Sequence, residues 1–219
     1  KKIKIVTLIK SISGIRGTIG GKPSDNLTPV DIVKFAAAYG SWIKKSSNQP
    51  KVVIGRDARP SGGMLSNLVS STLSGLGIDV VDLGLSTTPT VEMAVVYEKA
   101  AGGIILTASH NPIQWNALKL LNEKGEFISG KDGEDVLRIA EAEDFDFATV
   151  TKLGRYEKND TYLQKHIDAI LKLPLVDADA VHKRGFRVVV DAVNSSGGIA
   201  VPKLLSALGV TVKELYCEP

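Results

Sequence analysis

Cysteine is almost absent from this chain: Cys217 is the only one among 219 residues, so no internal disulfide and no thiolate metal cluster can form. That isolation points to a reducing compartment, and a cytoplasmic protein is the expectation. Long apolar runs are missing too. Nothing approaches the roughly 20 consecutive apolar residues of a membrane span, and no cleavable leader pattern opens the sequence, so no membrane partner is expected. Aromatics reach only 5%, and 27 basic residues face 24 acidic ones for a net charge of +3. A nucleic-acid surface needs a basic face interleaved with aromatics. No nucleic-acid partner is expected, and any anion bound here must be held by a local cluster.

What is present suits an α/β fold. With 43% hydrophobic residues, the chain can bury one good core, or one core and part of another. Residues 3–9 suit a strand, followed by a glycine-rich loop, Ser13 to Gly21, with Arg16 inside it. Thr28-Pro29-Val30-Asp31 carries the N-cap, first-turn proline and first-turn acid of a helix start. Ile32, Phe35, Ala36, Tyr39 and Ile43 then recur at helical spacing up to Lys44-Lys45, and Trp42 is read as packing. Lys51 to Gly55 is a strand running into Arg56-Asp57-Ala58-Arg59-Pro60, where Asp57 can pair with Arg56 or Arg59. Ser61 starts a helix to about Leu76, Ile78 to Gly84 is a strand, and Thr87 to Thr90 caps a helix to about Lys99.

Gly102 to Pro112 is the stretch around which the rest is organised. Gly-Gly-Ile-Ile-Leu reads as a strand covered on both faces, and Asn111-Pro112 stops it, because the residue before a proline avoids the helical region. Ser109 is therefore expected at the carboxyl end of a strand, where open α/β sheets place ligands. Ala117 to Asn122 follows as a strand, and a turn at Glu123 to Glu126 leads to Phe127-Ile128 as a hairpin. Lys119 interrupts that apolar strand. It either snorkels from an edge or reaches back towards Ser109.

Further on, the spacing predicts a charged helix from about Lys131 to Glu143, a solvated loop at 143–147, a helix to about Leu173 capped by Asn159 or Asp160 with His166 on its surface, and a connector at 174–179. Phe186 to Asp191 reads as a buried strand, Ala192 to Gly198 as its loop, Val201 to Leu208 as a helix, and Val210 to Tyr216 as a strand. This repeats the earlier strand, glycine-rich loop, helix, strand order. The expectation is one α/β domain over 1–154 and the start of a second, incomplete one over 155–219, with the end after Tyr216 read as a cut.

A serine hydroxyl needs a base to become a nucleophile. His110 is its immediate neighbour, and adjacent side chains on extended backbone point apart. No Gly-x-Ser-x-Gly elbow occurs either, so a serine hydrolase is disfavoured.

Thr107-Ala-Ser-His-Asn-Pro112 with Asn116 and Lys119, the Gly14-Ile-Arg-Gly17 segment and the Gly55-Arg-Asp-x-Arg59 turn together resemble the α-D-phosphohexomutases, the phosphoglucomutase, phosphomannomutase and phosphoglucosamine mutase group. The likeness runs over essentially all 219 residues. It departs in carrying Ser11-Ile12-Ser13 where Gly-Thr-Asp often stands, and Ala117 where glycine is usual after Asn116. The resemblance implies a three-layer α/β/α first domain with a mixed sheet and the opening of a second similar domain. It also implies catalytic roles for Ser109, Lys119, Arg16 and His110, with Arg16, Ser109, His110, Asn111 and Lys119 binding substrate. The partners implied are a hexose phosphate, a hexose bisphosphate and the remaining domains of a longer enzyme. Mg²⁺ would bridge phosphorylated Ser109 and an Asp-Gly-Asp-x-Asp loop that this sequence does not contain, so the 219 residues alone are expected to lack mutase activity. A phosphoglucosamine mutase, or a phosphosugar-binding module without turnover, is the alternative.

Overall fold

Alternating strands and helices build one large mixed sheet and a second, two-stranded one. The structure, a computed structural model, describes residues 6–11, 14–47 and 50–219. The large sheet contains β1 (Ile9–Ser11), β2 (Gly14–Thr18), β3 (Lys51–Arg56), β4 (Asp79–Leu85), β5 (Gly102–Leu106), β6 (Trp115–Leu121) and β7 (Tyr156–Lys158), in the order β1-β2-β6-β5-β3-β4-β7. Strands β5, β3, β4 and β7 run parallel. On the other side of β5, the β6, β2 and β1 pairings are antiparallel. The sheet therefore changes character at β5, the strand that leads to Ser109.

Helices cover both faces. On one side α1 (Pro29–Lys44), α2 (Gly62–Gly75) and α4 (Gly130–Ala142) bury Phe35, Leu65, Val69 and Ile139 against Val52, Ile54, Ile104, Leu118 and Leu120. On the other, α3 (Thr88–Tyr97) and α5 (Tyr162–Leu171) bury Val91, Val95 and Tyr162 against Val53, Val81, Ile105 and Leu121. The alternation of Val52 and Ile54 with Val53 is the pleat at work: successive side chains leave opposite faces. A strand covered twice must be apolar at every position, as β5 is, buried at all five residues.

The start of α1 follows its sequence. Asp31 accepts from the Thr28 backbone N–H at 3.0 Å, closing a capping box around Thr28, with Pro29 in the first turn. Inside the same helix, Tyr39 is fully buried and donates its hydroxyl to the Leu121 carbonyl at 2.7 Å. Burial pushes its phenol far above the usual range. A side chain at Gly102 would collide with that hydroxyl and with the Leu121 carbonyl, which is why a glycine opens β5.

Several expectations are corrected. Residues 3–5 of the strand expected at 3–9 lie outside the described residues, and the strand seen is Ile9–Ser11. Gly14 to Thr18, expected as a loop, is the strand β2. Gly14 adopts φ +124°, and a Cβ there would stand 2.1 Å from the Leu118 carbonyl oxygen, so the glycine lets two strands approach. The hairpin expected after β6 is present and short: Leu121 and Phe127 form an antiparallel bridge, flanked by bonds from the Ile128 N–H to the Leu120 carbonyl and from the Asn122 N–H to the Glu126 carbonyl, with Gly125 at φ +76° in the turn. Phe145, in the segment expected to be solvated, packs on the core. His166 is half-buried and shares a 2.9 Å hydrogen bond with Thr90, so it is no surface histidine.

After α5 the chain forms α6 (Ala178–Arg184), β8 (Arg187–Asp191), α7 (Gly197–Ala207) and β9 (Thr211–Leu215), with β8 and β9 parallel. The connector expected at 174–179 thus gives way to a short helix whose N-cap, Asp177, accepts from the Ala180 N–H at 2.9 Å. β8 is not the buried strand its Val-Val-Val run suggests: Val189 is 59% exposed.

Candidate active site

Ser109 lies just past the end of β5, where the chain turns back through Asn111 and Pro112 into β6. Asn111 ties this turn with its backbone N–H and its side-chain amide, both donated to the Ala108 carbonyl at 3.0 and 2.8 Å. Ser109 is exposed, and its backbone sits in the left-handed region at φ +52°.

The neighbouring cations are placed by strand register. Lys119 on β6 stands opposite Ile105, and Arg16 on β2 stands opposite Ala117. Ala117 and Lys119 are two apart on one strand, so Arg16 and Lys119 leave the same sheet face, opposite to that of Ile15 and Leu118. A cleft of about 290 Å³ opens here, with Ser109, His110, Asn111, Arg16 and Lys119 all on its walls. All five residues singled out in the sequence therefore meet in one place, although 93 residues separate Arg16 from Ser109 along the chain.

Lys119 is half-buried, and its ammonium lies 5.8 Å from the centre of the Phe127 ring, within cation–π range. Glu92 on α3 also feels that ammonium. Burial raises the Glu92 carboxyl above its ordinary value, while the positive charge of Lys119 pulls the other way. Phe127 and Glu92 carried no sequence signal, because a hairpin aromatic and a helix glutamate are read as packing and solvation. Asn116 shares the motif but is fully buried away from the cleft, donating to the Ser61 hydroxyl at 2.9 Å and accepting from the Ala117 N–H at 2.8 Å. It fastens β6 to the start of α2.

The Arg56 to Pro60 loop stands behind the serine turn. Asp57 pairs with Arg59, Nε to Oδ2 at 3.2 Å, which settles the choice between Arg56 and Arg59. A larger groove of about 650 Å³ runs along α2 beside β4 and β7. Its one buried acid, Asp82, is already occupied, accepting from Ser66, Tyr156 and the Gly84 N–H at 3.1, 2.8 and 2.8 Å. Burial, with the bond to Asp82, pushes the Tyr156 phenol up to about 12.

Chemically, the smaller cleft offers a hydroxyl at a strand end, a planar guanidinium that binds an anion bidentately and a compact ammonium. Among the described residues, no group of three or more His, Cys, Asp or Glu gathers to hold a metal. Nor is any helix among them long and apolar enough to cross a membrane.

A mixed sheet between two helix layers, with a cleft lined by Arg16 and Lys119 at the carboxyl end of a central strand, defines a protein of the α/β/α class. The chain belongs to the phosphoglucomutase/phosphomannomutase family, whose alpha/beta/alpha domain I matches residues 8–147. It is 36% identical over 206 residues to a phosphoglucomutase/phosphomannomutase of Thermococcus kodakarensis, covering 93% of this chain and 44% of that protein. To a phosphoglucosamine/phosphogalactosamine mutase of Sulfurisphaera tokodaii it is 30% identical over 200 residues, covering 91% and 42%. The crystal structure of a phosphoglucomutase/phosphomannomutase family protein from Burkholderia thailandensis superposes with a TM-score of 0.77 at 25% identity, covering 98% of this chain and 44% of that one. The chain thus spans under half the length of the curated relatives it matches.

Proposed function

We propose that this chain carries the phosphoserine half of a phosphohexomutase active site, with Ser109 as a reversible phosphoryl carrier between the 1- and 6-positions of a hexose. The observation that supports this most is the cleft itself, where an exposed strand-end serine faces Arg16 and Lys119. In the forward half-reaction the bond from Ser109 Oγ to phosphorus breaks, and a bond from phosphorus to a hydroxyl oxygen of a hexose monophosphate forms. The proton of that hydroxyl ends on Ser109 Oγ. The bisphosphate then turns over in the site and returns its other phosphate to Ser109.

Arg16 and Lys119 neutralise the equatorial oxygens of the group in flight, which is where most catalysis of phosphoryl transfer originates. His110 and Asn111, on the same turn, contact the sugar phosphate. The resemblance also calls for Mg²⁺. The described residues do not supply its carboxylate ligands, and Asp57, beside the turn, is engaged by Arg59 and Thr107. In this reading, residues 1–154 carry the serine, residues 155–219 begin a second domain, and the 219 residues alone do not turn over sugar phosphate. The two relatives are named for hexose and for hexosamine phosphates, and the substrate class proposed is a six-carbon sugar phosphate in either form.

The test is intact-mass analysis and phosphopeptide mapping of the complete polypeptide after incubation with a hexose 1,6-bisphosphate. One phosphate on Ser109, absent in Ser109→Ala, is the expected result; no incorporation, or incorporation elsewhere, defeats the reading. Ser109→Ala should lower mutase turnover by at least about a thousandfold, the scale for loss of a covalent nucleophile. Interconversion of glucose 1- and 6-phosphates by the 219 residues alone would show that the missing length is dispensable.

A further inference from the structure

Arg59 is the most heavily engaged side chain near the cleft. A guanidinium has five N–H donors and no acceptor. Here Nε donates to Asp57 Oδ2 at 3.2 Å, Nη1 to the carbonyls of Pro112 and Trp115 at 2.7 and 3.0 Å, and Nη2 to those of Ser109 and Asn111 at 2.8 and 2.7 Å. All five are spent within the protein. Arg59 has no donor left for a substrate phosphate.

The same ion pair also reaches the other side of Ser109. Thr107 Oγ1 donates to Asp57 Oδ2 at 2.7 Å and accepts the Ser109 backbone N–H at 3.2 Å. Asp57 Oδ1 in turn accepts the Arg59 backbone N–H at 3.0 Å. Both backbone polar groups of Ser109 are thereby held by one unit, its carbonyl directly by Arg59 and its N–H through Thr107 and Asp57. A residue with a Cβ is strained in the left-handed region and stays there only where its surroundings over-determine it. At Ser109, with φ +52°, this unit is what over-determines it.

We propose that Arg59, with Asp57 and Thr107, is a positioning set for phosphoryl transfer: it fixes the backbone of Ser109 in the left-handed conformation and so sets the direction from which its oxygen meets the sugar. This inference rests on the phosphoserine reading above. It separates two arginines of the site by role, Arg16 touching the anion and Arg59 shaping the turn that carries it. Because the role is geometric, a charge alone does not fulfil it. Lysine keeps the positive charge but offers three donors from one point and cannot span four carbonyls.

The experiment is steady-state kinetics of the complete polypeptide with Arg59→Lys and Thr107→Val, beside thermal unfolding and hydrogen exchange across 107–115. For Arg59→Lys, kcat should fall about a hundredfold, the scale of a misplacement of about 1 Å at a reacting atom, while KM stays within about threefold and exchange across the turn accelerates. For Thr107→Val, which removes two hydrogen bonds at constant volume, the same split should appear at about tenfold in kcat. Thr107→Val carries the test if Arg59→Lys fails to fold. Unchanged kcat in a folded variant, a loss confined to KM, a loss that only tracks the folded fraction, or unchanged exchange overturns the inference. A wild-type enzyme whose Ser109 takes no phosphate defeats the phosphoserine reading and this inference with it. An active wild type with an equally active Arg59→Lys defeats the positioning role alone.

Discussion

Strands β5 and β8 each contain a short apolar run and have very different surroundings. Gly-Gly-Ile-Ile-Leu in β5 is buried at every residue, whereas Arg-Val-Val-Val-Asp in β8 alternates between exposed and half-buried. β5 has a strand on each side and a helix layer on each face, while β8 pairs with β9 and packs against α7. An apolar run states what a strand can tolerate. The number of layers over it decides what it buries, and with that how much each methyl group contributes to stability.

The largest effect should come from β5. Ile104→Ala, at a fully buried site, is expected to cost about 2–5 kcal/mol through lost transfer energy and a residual cavity, against under about 0.5 kcal/mol for Val189→Ala on exposed β8. Equal losses in chemical denaturation would mean that the two strands are equally covered. Glycines sharpen the contrast. Gly102→Ala places a methyl 2.2 Å from the Tyr39 hydroxyl and 2.6 Å from a carbonyl, an overpacking expected to cost about 1–3 kcal/mol. At Gly197, at the start of α7, the nearest neighbour would be 3.8 Å away, and alanine should be neutral or stabilising by up to about 1 kcal/mol. A melting temperature that falls as far for Gly197→Ala as for Gly102→Ala would count against this picture.

Smaller effects should arise where α5 docks. The Tyr162 hydroxyl bonds Glu98, which also takes the Lys51 ammonium at 2.6 Å. Burial alone would raise the Glu98 carboxyl, but these two bonds together with the charges of Lys51 and Lys165 hold the group below its ordinary value. Tyr162→Phe should cost about 1 kcal/mol, one hydrogen bond's worth, read as a shift of the urea midpoint at constant slope. His166 gives the mildest signal. Burial lowers its pKa from 6.5, so the folded state favours the neutral ring. The stability this represents is complete above pH 6.5 and is lost as pH falls through 6.5 towards the folded-state value. Replacing His166 with Gln should flatten the stability profile in that window, and an identical slope in both proteins would refute the assignment.

Much of the large sheet was legible because its signals were local and agreed with one another. The Thr28 to Asp31 cap, the helical stripe from Ile32 to Ile43 and the apolar runs of β3, β4 and β5 each name their element without help from afar. β2 was not legible. Gly14-Ile-Arg-Gly17 reads as a loop because glycine disfavours strands, and it becomes one only because β6 lies close enough to need a residue without a Cβ. α6 escaped for the opposite reason: seven residues with none fully buried leave no periodicity to detect. In the cleft, the motif residues could be named from sequence, whereas the fivefold engagement of Arg59 required four carbonyls from the next turn, a convergence that side-chain patterns do not record.

The antiparallel pairing of β5 with β6 has a practical consequence. Lys119 is carried by a ladder in register with Ile105, so its place on the sheet is set by interstrand bonds and not by the length of the intervening turn. A change in the turn would disturb Ser109, which the turn itself carries, while the ammonium kept its address on β6. A slip of one residue between the two strands would instead swing it to the opposite side of the sheet, in among the leucines. Anyone grafting a new turn onto this scaffold should guard the pairing first and the hexapeptide second.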